Sequence, residues 1–125
     1  MSAVDPDKPP TFEEDRPAEG SAEAFRLALE GYEGPIDVLL QLAREQKVDI
    51  TKISILALAD QYLEFINQAR ELRLEIAADY LVMAAWLAYL KSAMLLPKDE
   101  QEDPSPEELA LKLQLRLQRL GAMRD

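Results

Sequence analysis

The chain has 125 residues, with 14 lysines and arginines against 24 aspartates and glutamates, a formal charge of −10, and neither histidine nor cysteine. Nucleophilic pairs that need histidine, cysteine and histidine zinc sites, and disulfide frameworks are therefore excluded, and the length suits one domain at most. A charge of −10 repels nucleic acid, whose binding rests on neutralising phosphates, so any role at DNA has to be indirect.

Residues 1–24 hold seven acids, two bases, four of the eight prolines and, after Met1, only two large apolar residues, Val4 and Phe12. Such a segment cannot bury enough apolar surface to offset its ordering entropy, so an acidic disordered tail is expected. It is either a solvated leader or a lure for a basic partner. It lacks the basic and apolar regions of a signal peptide, which together with the missing cysteines points to the cytoplasm.

From residue 25, Phe25, Leu27 and Leu29 alternate with Arg26, Ala28 and Glu30, which predicts a short extended arm ending at Gly31. Gly34-Pro35-Ile36-Asp37 then reads as a helix start: glycine at the cap, proline at the first helical position, an acid facing the positive end of the dipole. Ile36, Leu39, Leu40 and Ala43 keep helical spacing, so a first helix is expected over Pro35 to Gln46. Lys47 to Ile53, with Val48, Asp49, Ile50 and Thr51, reads as an extended connection. Ser54 can cap a second helix whose apolar positions are Ile55, Leu58, Ala59, Tyr62, Phe65, Ile66 and Ala69.

Glu75 to Leu96 predicts a third helix that is apolar nearly all the way round and stops at Pro97. At 100° per residue, Ile76, Tyr80, Met83, Leu87, Leu90 and Met94 form a broad core face. A second face carries Leu81, Ala85, Ala88, Ser92 and Leu95, and a third Val82, Trp86, Tyr89 and Ala93. The helix is either wrapped on all sides by its own chain or keeps one face for a partner; the small residues between Leu81 and Leu95 would let another backbone approach closely. The uninterrupted apolar run, Tyr80 to Leu90, is too short for a membrane span, which needs roughly 20 residues.

Residues 98–104 form an acidic linker. Ser105 and Glu108 then make a capping box with Pro106 at the first helical position. Leu109 to Leu117 alternates like a strand, but every residue in it is a strong helix former and none is β-branched, so a fourth helix is predicted. Leu109, Leu113, Leu117 and Leu120 line one side of it, with Leu111 and Leu115 on another. About 15 residues long, it would be marginal alone in water and ordered only on a partner. No phosphate loop, dinucleotide fingerprint or calcium loop occurs. Asp37, Asp49, Asp60 and Asp79 fit caps and exposed helix positions better than an acid and base pair. No catalytic residue, metal or cofactor is assigned, and the chain reads as a binding module.

Tyr32 to Leu40, Val48-Asp49-Ile50, Gln61-Tyr62-Leu63, Ala78 to Ala85 and Lys91 to Pro97 together resemble segregation and condensation protein A, the bacterial kleisin family, across residues 25 to about 120. Ala93 departs from the basic residue usual there. The resemblance implies a non-enzymatic bridging subunit of a condensin-like complex in chromosome condensation and segregation, associated with the nucleoid. It implies that the third helix, through Leu81, Ala85, Ala88, Ser92 and Leu95, meets the coiled-coil neck of an SMC ATPase. The segment with Leu109, Leu113, Leu117 and Leu120 would bind a dimer of segregation and condensation protein B, with DNA reached only through the complex. The organisation expected is all-α: a tail over 1–24, an N-terminal helical kleisin domain over 25–97 made of a three-helix unit with its extended arm, a linker over 98–104, and the start of a middle segment over 105–125. A competing reading is a peripheral membrane protein anchored by its apolar helices, although such helices want a basic polar face and the surroundings here are acidic.

Overall fold

The computed structural model describes residues 19–101 and 103–124. Among them are five α-helices, α1 (Glu19–Gly31), α2 (Pro35–Gln46), α3 (Ile55–Glu71), α4 (Ala78–Met94) and α5 (Pro106–Arg124), with single 3₁₀ turns at Ile50–Lys52 and Lys98–Glu100. The all-α expectation holds. The part of the expected disordered tail over residues 1–18 lies outside the described residues.

Two local expectations are corrected. Residues 19–31 are helical, so the last six residues of the expected tail and the extended arm both belong to α1. Phe25 and Leu29, four residues apart, are half-buried on one helical face, while Leu27 is exposed on the other. Three alternating apolar residues satisfy both periods, and the helix turns Phe25 and Leu29 to one side, Leu29 against the core and Phe25 toward Phe65. Phe25 stacks on Phe65 of α3 at 5.0 Å, and Tyr32 meets that ring edge-on at 6.2 Å. The connection after α2 is extended at Lys47, Asp49 and Ile53 but is interrupted by a 3₁₀ turn at Ile50–Lys52, which the Asp49 carboxylate caps by accepting from the backbone N–H (3.1 Å) and the hydroxyl (2.7 Å) of Thr51. Those hydrogen bonds also hold the Asp49 carboxyl below its usual pKa.

The helix starts follow their sequence signals. Pro35 opens α2 behind Gly34. Ser54 Oγ accepts from the Ala57 N–H at 3.1 Å, and the Gln46 amide bonds both the N–H and the carbonyl of Ser54. Ser105 and Glu108 exchange capping bonds at 3.2 Å each. The end of α3 carried no glycine signal, yet Arg73 adopts a left-handed conformation (φ 59°). The Leu74 N–H then bonds the Ala69 carbonyl and the Arg73 N–H that of Arg70, closing a Schellman cap.

α3 and α4 form a helical hairpin with the most extensive interface among the described elements. Tyr62, fully buried, donates its hydroxyl to the Tyr80 carbonyl at 2.9 Å, and Lys91 pairs with Asp60 at 2.6 Å on the solvent side. α2 lies across this hairpin, contributing Val38, Leu39, Leu40 and Ala43 to a core completed by Leu58, Ile66, Leu87 and Leu90. α5 folds back onto α2, α4 and the Ile50–Lys52 turn. Leu113 and Leu117 enter the same core, so the fourth helix is packed on the three-helix unit rather than marginal and solvated.

A candidate partner-binding surface on α4

α4 separates its faces cleanly. Tyr80, Leu87 and Leu90 are buried and Met83 and Met94 half-buried, as the core face requires, whereas Ile76, also half-buried, precedes the helix, which starts at Ala78 and not at Glu75. Leu81, Ala85, Ala88, Ser92 and Leu95 are all exposed and lie together along the opposite side. The third face is divided: Trp86 and Ala93 turn inward, whereas Val82 and Tyr89 join the outer surface, Val82 being 68% and Leu95 64% exposed.

The resulting strip spans about 140° of the helix circumference and roughly 21 Å of its length. It carries no charge, although 30% of the chain is charged. Asp79 and Lys91, the charged residues of α4, both project off the strip, Lys91 toward Asp60. Val82, Tyr89 and Leu96 belong to the surface and were not assigned to it from sequence. The signal that finds them is the arc free of charge, not the spacing of small residues.

At its C-terminal end the strip runs into a depression of about 240 Å³ bounded by Tyr89, Ser92, Leu96 and Pro106. One wall is Gln101, whose side-chain amide donates to the Ala93 (3.3 Å) and Leu96 (3.0 Å) carbonyls and so caps α4 from the linker.

The residues expected to form a binding face on the fourth helix are not brought to the surface. Leu113 and Leu117 are buried and Leu109 and Leu120 half-buried, because this side of α5 lies against α2 and α4. The exposed leucines are the other pair, Leu111 and Leu115.

The four aspartates weighed as an acid and base set do not assemble. Asp37 pairs with Arg124, which also pairs with Glu33 at 2.9 Å; Asp60 pairs with Lys91; Asp49 closes its turn. Asp37 and Asp79 line one cleft of about 470 Å³, beside Arg116, Arg119 and Arg124. Among the described residues no three carboxylates converge where they could share a cation. No helix among them is long and apolar enough to cross a membrane.

Residues 42–120 match the family described as segregation and condensation protein ScpA. The chain is 44% identical to segregation and condensation protein A of Coxiella burnetii over 96 residues, which covers 77% of this chain and 36% of the relative. It is 49% identical to that of Myxococcus xanthus over 76 residues, 61% of this chain and 26% of the relative. With the Oceanobacillus iheyensis protein it shares 44% over 86 residues, 69% of this chain and 34% of the relative. The chain thus spans about a third of the length of the curated relatives it matches.

Proposed function

Because the chain belongs to the segregation and condensation protein A family, we propose that it is a non-enzymatic kleisin subunit acting in chromosome condensation and segregation, at the nucleoid. In this reading it bridges an SMC ATPase and a dimer of segregation and condensation protein B, and contacts DNA only through the complex. The outer strip of α4, with Leu81, Ala85, Ala88, Ser92 and Leu95 and the adjoining Val82 and Tyr89, packs against the coiled-coil neck of the ATPase. α5 belongs to the segment that meets the B protein.

The observation that carries the reading is the strip on α4, apolar and exposed yet bounded by a well-packed core. A helix of that kind is stable only if its inner face already satisfies the fold, and its outer face then gains by removal from water. Each large residue transferred into a helical partner would contribute on the order of 1.5–3 kcal/mol. The small residues Ala85, Ala88 and Ser92 leave room for a partner helix at close range, while Leu81 and Leu95 supply the ends of the contact. The absence of charge on the arc removes the desolvation cost that an acidic surface would otherwise impose.

Two neighbouring residues separate folding from binding. Leu87 is fully buried and Ala88 exposed. Leu87→Ala is expected to destabilise the domain by about 2–5 kcal/mol through the cavity it leaves. Ala88→Glu is expected to leave thermal unfolding unchanged and to abolish binding to a neck-containing SMC fragment, because it drives an unpaired carboxylate into an apolar contact. Unchanged affinity for Ala88→Glu and for Tyr89→Glu alike would refute the assignment of this face.

A further inference from the structure

Resting on the reading that α5 meets a partner, we propose that it does so while docked, through its outer strip, and that the surface it recognises is apolar and carries carboxylates. α5 is fastened along its length. Gln114 donates its amide to the Ile50 (3.2 Å) and Thr51 (2.9 Å) carbonyls, Arg44 donates to the Gly121 carbonyl at 3.3 Å, and Arg124 pairs with Glu33 and Asp37. Leu113 and Leu117 lie in the core between these points. Releasing the helix would break every one of these contacts and expose both leucines, so the side open to a partner is the opposite one.

That side has a definite chemistry. Leu111 and Leu115, one turn apart, are both exposed, and Lys112, Arg116 and Arg119 run along one edge of them, the two arginines also lining the cleft that holds Asp37 and Asp79. From Leu109 to Arg124 the helix contains no acid, in a chain where acids outnumber bases 24 to 14. Among the described residues no carboxylate lies within ion-pair distance of Lys112, Arg116 or Arg119. A positive strip beside two apolar side chains is complementary to a partner helix bearing apolar residues with acids alongside. A lipid surface fits less well, since an interfacial helix inserts a broad apolar face and here that face is already in the core. Nucleic acid would have to bind beside a net charge of −10.

The test is calorimetric titration of the full chain with the segregation and condensation protein B dimer at two ionic strengths, with amide exchange on the complex. Expected are affinities weakened roughly tenfold or more by R116E/R119E and by L111A/L115A, unfolding midpoints left in place, weaker binding of the unaltered chain at high salt, and α5 amides that stay protected when bound. If both double variants bind the dimer as the unaltered chain does, or if α5 amides lose protection on binding, this inference is overturned while the bridging reading stands. No binding by the unaltered chain overturns both. If the variants instead lose affinity for a duplex DNA oligonucleotide or for phosphatidylserine vesicles, with dimer binding intact, the strip serves those ligands and the proposal fails.

Discussion

Leu117→Ala decides whether α5 is part of the fold. The side chain is 0% exposed and belongs to the core shared with α2, α3 and α4. Truncation to alanine removes three carbons, forfeiting roughly 2.4 kcal/mol at about 0.8 kcal/mol per buried methylene. The space that fails to collapse adds about 24 cal/mol per Å³. A total of about 3–4 kcal/mol is expected, which lowers the melting temperature by roughly 12 °C or more for a domain of this size. Leu115, two residues away and 46% exposed, is the control, with Leu115→Ala expected within about 1 kcal/mol of the unaltered chain. Guanidinium unfolding followed by far-ultraviolet circular dichroism reads both: the midpoint should drop for Leu117→Ala with the slope unchanged, because the same surface is exposed in one transition. Equal midpoints for the two variants, or a separate early transition for α5, would refute the packing argued here.

Tyr62→Phe is expected to cost about 1 kcal/mol at neutral pH, since the Tyr80 carbonyl loses its donor. Burial pushes the Tyr62 phenol above its ordinary value of 10.0, so the folded chain keeps a proton that the unfolded chain releases. The stability this provides is complete below pH 10 and falls as pH rises beyond it, by up to about 1.4 kcal/mol per unit. Stability measured from pH 8 to 11 should fall less steeply in Tyr62→Phe, with a residual slope from Tyr32 and Tyr80, which burial also raises. An identical alkaline slope would contradict this. A Cβ at Gly121 would sit 3.2 Å from Ile50 Cδ1 and 3.4 Å from Arg44 Nη2, both ends of side chains. Gly121→Ala should be nearly neutral in thermal unfolding, the helix gain of about 0.5–1 kcal/mol offsetting the crowding, whereas Gly121→Leu should cost about 1–3 kcal/mol. Arg73→Gly should stabilise by about 0.5–1 kcal/mol in urea unfolding, because only glycine adopts the left-handed cap without steric cost.

The sequence by itself determined the elements wherever a local signal and an apolar period agreed. Pro35 behind Gly34, Ser54 ahead of Ile55, and Ser105 with Glu108 mark the starts of α2, α3 and α5, since caps act within one turn and need no tertiary partner. The buried side of α3, from Ile55 through Tyr62 to Ala69, and the core face of α4 around Leu87 were legible for the same reason. α1 was not, because Phe25, Leu27 and Leu29 are too few to separate a period of two from one of 3.6, and only Phe65, forty residues on, settles which of them is covered. α5 shows the limit most plainly. Its leucines populate two sides, four on the side of Leu113 and Leu117 and two at Leu111 and Leu115, and the helix alone does not say which side its own chain covers and which a partner would. The choice was made by what the rest of the chain offers: a trough between α2 and α4, the carbonyls of Ile50 and Thr51 turned toward Gln114, and the close approach that Gly121 permits. Burial is a property of two surfaces together, so a single helix can state that it is amphipathic or doubly apolar, but only its neighbours decide which side turns inward.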